Sequence, residues 1–407
     1  MRPRTRSVGL YYGYKATKAV EFYRPIMYLY FLSQGLDYTQ IAVLEGVYNA
    51  TTVLGEVPTG YVGDRIGRRN SLLVGTTVIT ATLVGIGLAD SFPALTALYV
   101  CWSMGYNFRS GSDEAWLYDT LSDELGTDQF ADVRGRGKAV ALSVGVVGSV
   151  VGGYLGDVDL AYPFFVAAAI TGLGVPVLLR MDEPASYDES GAAELGLGEA
   201  LGVVRETLSR RNVRAFVVYY FVLFSAVMYL VFVYLQPVVE TVAPQLGVPA
   251  GQVTPLLGWF YAAISLVSAG LSYKTGAIRR RVGIRRWFLV VPFAVGGALA
   301  ALAVVPVLAI ATFLLARGVA ETTRSLASQY VNDRIETLGR ATVLSALAMV
   351  SSLAVIPVQF GSGMLSDAAS PIVALSVAGG ALVAGSFAVL AWESPVSAAT
   401  GRPTEAE

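Results

Sequence analysis

Apolar runs of about twenty residues recur from one end of the chain to the other, and a helix needs a run of that length to cross a bilayer. "SLLVGTTVITATLVGIGL" at 71–88 and "PIVALSVAGGALVAGSFAVLAW" at 371–392 are two of them. Nothing else in the sequence restricts the fold as severely. Inside lipid every backbone N–H and C=O must find a protein partner, so repeated apolar runs imply a bundle of helices. Composition agrees: 54% of the 407 residues are hydrophobic and only 14% are charged, where a soluble domain carries about 25% charged residues. Hydropathy and turn signals place twelve spans, at 9–33, 39–63, 70–89, 94–121, 137–156, 161–180, 213–239, 252–275, 286–304, 306–331, 340–363 and 371–392. The expected fold class is therefore an all-α integral membrane protein.

The longest polar stretch, "MDEPASYDESGAAELGLGEALGVVRETLSRRNVR", lies between spans six and seven. Its Pro, Ser, Asp and Glu content marks a linker, and "LGEALGVVRETLSRR" within it reads as a short amphipathic helix. The expected organisation is a six-helix bundle over 1–180, a linker over 181–212, a second six-helix bundle over 213–393 and a tail over 394–407. Loops after the even-numbered spans hold Arg65, Arg68, Arg69, Arg134, Arg136, Arg205, Arg210, Arg211, Arg279, Arg280, Arg281, Arg285 and Arg334. Loops after the odd-numbered spans hold Asp37, Asp90, Asp157, Asp159 and Asp367 but no Lys or Arg. By the positive-inside rule both termini and the linker face the cytoplasm, in the cytoplasmic membrane. The basic start "MRPRTRSVGLYYGYK" lacks the apolar core and small-residue site of a signal peptide.

Several chemistries are disfavoured. With no histidine and a single cysteine, Cys101, the chain lacks the usual metal ligands and the usual proton shuttle. No metal, cofactor or catalytic residue is expected, and proton chemistry in the membrane falls to carboxylates. A net charge of −1 gives no reason to expect nucleic acid. No Walker A loop and no nucleophile–base pair are visible, so neither an ATP-driven pump nor an enzyme is expected.

After span two the chain reads "GYVGDRIGRR", residues 60 to 69. Gly60, Asp64, Arg65, Gly67, Arg68 and Arg69 match the G-x-x-x-D-R/K-x-G-R-R/K signature loop of the major facilitator superfamily, and the chain resembles that family. Twelve spans in a 6+6 split with a long linker are similar to it as well. The resemblance implies two pseudo-symmetric bundles and a central cavity lined by helices 1, 4, 7 and 10. It further implies that the loop is a cytoplasmic gate latch bonded to an acid at the end of helix 4, for which Asp119 is the candidate partner of Arg68. The second-half copy, "GLSYKTGAIRRRVGIRR", keeps its positive charge but loses the Asp. In span five, glycines 145, 148, 152 and 153 favour close helix packing. They also resemble in part a helix-5 pattern associated with antiporters.

Charges within the spans mark the expected site, because each costs several kcal/mol in lipid unless it faces protein or water. Span four carries Arg109 and Asp113, expected as an i, i+4 pair, followed by Glu114, which has no local base and is the favoured proton site. Span ten repeats the motif with Arg317, Glu321 and Arg324. Span one places Lys18, Glu21 and Arg24 ahead of a kink at Pro25, and span seven supplies Tyr220 among other tyrosines. Glu45 reads as lying towards the outside and Glu56 as deep, beside the signature loop. The substrate and proton cavity is thus expected to hold Glu21, Arg24, Arg109, Asp113, Glu114, Tyr220, Arg317, Glu321 and Arg324. The function expected is alternating-access secondary transport of a small organic solute by a monomer, coupled to H+ and directed outward as efflux. Uptake or exchange of an anionic solute is the alternative, and a non-transporting sensor or scaffold a second.

Overall fold

The computed structural model describes residues 3–19, 21–124, 129–184, 202, 211–334 and 340–396. Most of the expected linker (185–201 and 203–210) and the tail from 397 lie outside the described residues, and with them the amphipathic helix read in the linker. Every element is helical, with no strand among the described residues. Among the described residues eight helices are long and apolar enough to cross a membrane, matching expected spans three, five and seven to twelve. Span two, Tyr38–Ile66, is long enough but too polar on average to meet that measure. Span six is split into Tyr162–Gly172 and Gly174–Leu178.

Spans one and four are broken, which their sequence was not expected to do so completely. Helix Pro3–Lys18 stops, residues 22–26 form turns, and helix Met27–Ser33 resumes the path. Pro25 lies in this gap and offers no N–H to a continuing ladder. Span four divides into Phe92–Arg109 and Ser112–Glu124 around Ser110, which is extended, and Gly111, at φ 73°. Only glycine enters that left-handed region without strain. The break undoes the helical register that placed Arg109 and Asp113 as a pair.

The halves meet along two long seams, span two against span eleven and span five against span eight. The glycine run of span five explains the second seam. A Cβ on Gly153 would stand 2.6 Å from the Thr254 carbonyl oxygen and 2.9 Å from the Gly258 Cα. One on Gly152 would meet the Phe22 carbonyl oxygen, in the broken part of span one, at 2.0 Å. These glycines let backbones touch.

Further contacts between halves cluster at the end that carries Asp37. That aspartate caps span two, accepting from the Gln40 N–H at 2.6 Å. Asp367 of span eleven accepts from the N–H groups of Tyr38 and Thr39 at 2.8 and 2.9 Å, completing the same helix start from the other half. The Tyr38 ring packs edge-on against Tyr234 of the second half, with centroids 5.9 Å apart, and Thr254 donates to Asp157 at 3.1 Å. Enlarging Gly153 to valine is expected to cost about 1–3 kcal/mol through overpacking, read as a lowered Tm in detergent. Gly145→Ala is the control, since its nearest neighbour would stand 3.9 Å away.

Candidate substrate cavity

A cavity of about 820 Å³ lies between the halves. Its wall takes Ala141 and Leu142 near the start of span five, Tyr220 and Phe221 near the start of span seven, and Arg324 and Ser328 near the end of span ten. These positions put the mouth on the face that carries the Gly60–Arg69 loop. Its floor is built by Arg24, Tyr229, Phe232, Tyr261 and Arg317. Span seven reaches the cavity through a π-helical stretch, Val217–Phe224, before regular helix Ser225–Val242. Such wide turns shift the side-chain register and recur at functional sites.

The break in span one is held open by a residue of the other half. Gln236 accepts from the Tyr28 N–H at 2.8 Å and donates to the Arg24 carbonyl at 2.8 Å and to the Tyr261 hydroxyl at 3.0 Å. One fully buried amide thus satisfies an orphan donor and an orphan acceptor of an interrupted helix. Glu21 and Arg24, freed from helical geometry, pair at 2.6 Å on the cavity wall.

Six of the nine expected cavity residues line this space: Glu21, Arg24, Tyr220, Arg317, Glu321 and Arg324. The other three belong elsewhere. Asp113 is bound by Lys15 at 2.9 Å and Lys18 at 3.0 Å, so its partners come from span one and not from Arg109. Glu114 is half-exposed and paired with Arg134 of span five at 2.9 Å, a base that a search along its own helix could not find. Arg109 is buried within the first half, its guanidinium 5.9 Å from the Tyr14 ring, beside a smaller cavity of about 250 Å³ shared with Lys18 and Glu21. In span ten Glu321 lies 3.8 Å from Arg324, and Arg317 has no acid within 4.0 Å among the described residues.

One acid went unread as a site. Glu45, only 5% exposed, accepts from Tyr28 at 3.1 Å, from Tyr99 at 3.3 Å and from Tyr229. Tyr229 comes from the second half and also lines the cavity. The available signal was chemical: a glutamate in an apolar span must find donors, and tyrosines were the donors this chain had most of within its spans.

A profile of the Major Facilitator Superfamily matches residues 19–354. The chain belongs to the major facilitator superfamily. It is 23% identical over 203 residues to the Bacillus subtilis protein named uncharacterized MFS-type transporter YxaM, covering 49% of this chain and 50% of that one. It is 26% identical over 136 residues to MFS-type transporter MJ1317 of Methanocaldococcus jannaschii, covering 31% of this chain and 32% of that one. These matches span half or less of either relative's length. The structure resembles that of nucleoside transporter NupG, with TM-score 0.80 at 14% identity over 96% of this chain and 99% of that one. It also resembles a bacterial homolog of the human lysosomal transporter Spinster in an inward-facing, unoccupied conformation, with TM-score 0.70 at 15% identity over 96% of each.

The superfamily's signature loop is tied down in a way its motif does not specify. Gly67, at φ 95°, ends span two and starts span three. Asp64 and Arg68 pair at 2.8 Å, and Arg65 stacks on Tyr61 at 4.3 Å. Glu183, in the first residues after span six, accepts from the Arg68 N–H at 2.5 Å and the Arg69 N–H at 3.0 Å. A Cβ on Gly67 would lie 2.8 Å from the Glu183 carboxyl carbon, so this glycine also makes room for the cap. Burial pushes the Glu183 carboxyl above the usual range against the pull of the two amide donors. Trp116 donates to the Asp182 carbonyl at 2.9 Å, which anchors the linker's start on span four. Asp119 lies on the same helix, Ser112–Glu124, which packs against span three. In the second half Arg279 reaches Asp333 at the end of span ten at 3.5 Å, a loop-to-helix pair despite the missing motif aspartate. Glu183→Ala is expected to cost about 0.5–2 kcal/mol, the usual range for losing a helix cap. Glu183→Gln, which keeps an acceptor, should cost less in the same thermal unfolding measurement.

Proposed function

We propose that the protein is a secondary transporter of the cytoplasmic membrane that carries a small organic solute by alternating access, in a conformer open to the cytoplasm. The observation that carries this reading is the placement of the cavity. It lies between two halves, opens on the face of the signature loop, and is closed at the other end by bonds that run from one half to the other. Reversing the rocking of residues 1–180 against 213–393 would break the Asp367, Gln236 and Tyr229 contacts and expose the same floor to the other side. The basic loops after the even-numbered spans support assigning the open face to the cytoplasm.

The coupling ion is the proton, and its carrier is Glu45. Asp113, Glu114, Glu21 and Glu321 each have a basic neighbour within 4.0 Å, whereas Glu45 has none among the described residues and only phenol donors. Its bond to Tyr229 joins the halves, so opening the outer end uncovers Glu45 and strips one of its donors. Proton occupancy and conformation are then linked through one contact. Solute moving against the entering proton gives efflux, the direction favoured by the acids and the tyrosine wall. The span-five glycines lend it no support beyond packing.

Proteoliposomes with a trapped pH-sensitive dye test this when panels of organic acids, amines and nucleosides are added. At least one solute should move protons, with the sign of the pH change giving the direction. Glu45→Gln should abolish the proton movement and spare solute exchange at equal pH. A protein that moves no solute from any panel would instead be the sensor or scaffold.

A further inference from the structure

The balance of charge in the cavity has a consequence for what it accepts. Its wall holds three arginines and two glutamates: Arg24, Arg317, Arg324, Glu21 and Glu321. Arg24 is matched by Glu21 at 2.6 Å, and Arg324 stands beside Glu321 at 3.8 Å. Arg317 is left over. Among the described residues it has no carboxylate within 4.0 Å and donates no hydrogen bond, although its guanidinium carries five N–H donors in a planar fork. Its guanidinium carbon lies 5.2 Å from the ring of Phe232. Arg24 lies 5.1 Å from the same ring.

An uncompensated guanidinium deep in a membrane protein is unfavourable until an anion reaches it. The fork fits a carboxylate through two parallel hydrogen bonds. Among the described residues the cavity's arginines outnumber its glutamates by one, so one negative charge balances the site and a second on the same solute would exceed that balance. A cation would face Arg317 and Arg24 together. A neutral sugar would leave the charge unmet. Beside the fork, Phe224, Met228, Tyr229 and Phe232 of span seven present an apolar and aromatic face, the kind of wall that holds the body of an organic ligand.

We propose that the transported solute is an organic monocarboxylate with an apolar or aromatic body, its carboxylate bound by Arg317 and its body laid against Phe232. This rests on the transport reading above and names the substrate class of that same cavity.

The probes are benzoate, phenylacetate, 3-phenylpropionate and indole-3-acetate, each beside its primary amide and the corresponding amine. Binding to the purified protein in nanodiscs is read by thermal shift and calorimetry. At least one acid should bind at least about tenfold more tightly than its amide and its amine, the scale of one charge-assisted contact. Arg317→Gln should remove that preference, and Arg317→Lys, which keeps the charge and guards against a folding artefact, should retain part of it. Arg279→Gln, on a loop outside the cavity where Arg279 pairs with Asp333, should leave it in place. The proposal is overturned if no acid in the series binds, if an amide or amine binds as well as its acid, or if Arg317→Gln keeps the preference. Transport failure reads differently: Arg317-dependent binding of an acid that never crosses the proteoliposome membrane would uphold the site and sink the transporter.

Discussion

The structure turns on one amide filling one gap. Over residues 21–26 the first span gives up its helix, and an interrupted backbone in a bilayer must find partners for its stranded N–H and C=O groups. Gln236 of the second half supplies both, to Tyr28 and Arg24. Three properties depend on that contact. It lets Glu21 and Arg24 leave a helical path and reach the cavity, it joins the halves at the closed end, and it brings Tyr261 onto the floor through a third bond. Gly152, with no room for a Cβ against Phe22, presses span five onto the same gap. The irregular segment is therefore enclosed by protein on several sides, the condition under which non-helical backbone is tolerated at membrane depth.

Pairing sorts the intramembrane charges into different tasks. Asp113 with Lys15 and Lys18, and Glu114 with Arg134, fasten span four to spans one and five on the side of the signature loop. Glu45, held by phenols alone, bridges the halves without a fixed counter-charge. Arg317 is a cation with no carboxylate within 4.0 Å among the described residues. A charge with a full set of partners steadies the bundle, while one without them can exchange partners as a solute or proton arrives. The cavity is thus defined less by how many charges it holds than by which one remains unmatched.

Much of the fold was legible in the sequence because its causes are local. Apolar runs set the helices, glycine spacing in span five foretold close packing, and Gly67 with Asp64 marked the turn. Five cavity residues followed from charge in apolar surroundings, and Tyr220 from the tyrosines of span seven. What failed was register and reach. A single glycine at φ 73° breaks span four, so Arg109 and Asp113 do not share a face as their spacing suggested. The partners of Asp113, Glu114 and Glu45 come from other spans, and no spacing along one helix encodes them. Glu183 escaped notice because a carboxylate just after a span looks like any solvated linker charge. Only the third dimension places it against the start of span three.

Alternating access requires the two ends of the five–eight seam to move in opposition. Spin-label pairs at 157 and 254, where Asp157 meets Thr254, and at 138 and 274, at the other end, read this by pulsed electron resonance in nanodiscs. Replacing Tyr229 by phenylalanine frees the cross-half bond to Glu45. The account predicts that this substitution lengthens the 157–254 distance and shortens the 138–274 distance in the same molecules. Both distances moving in the same direction, or neither moving, would contradict it.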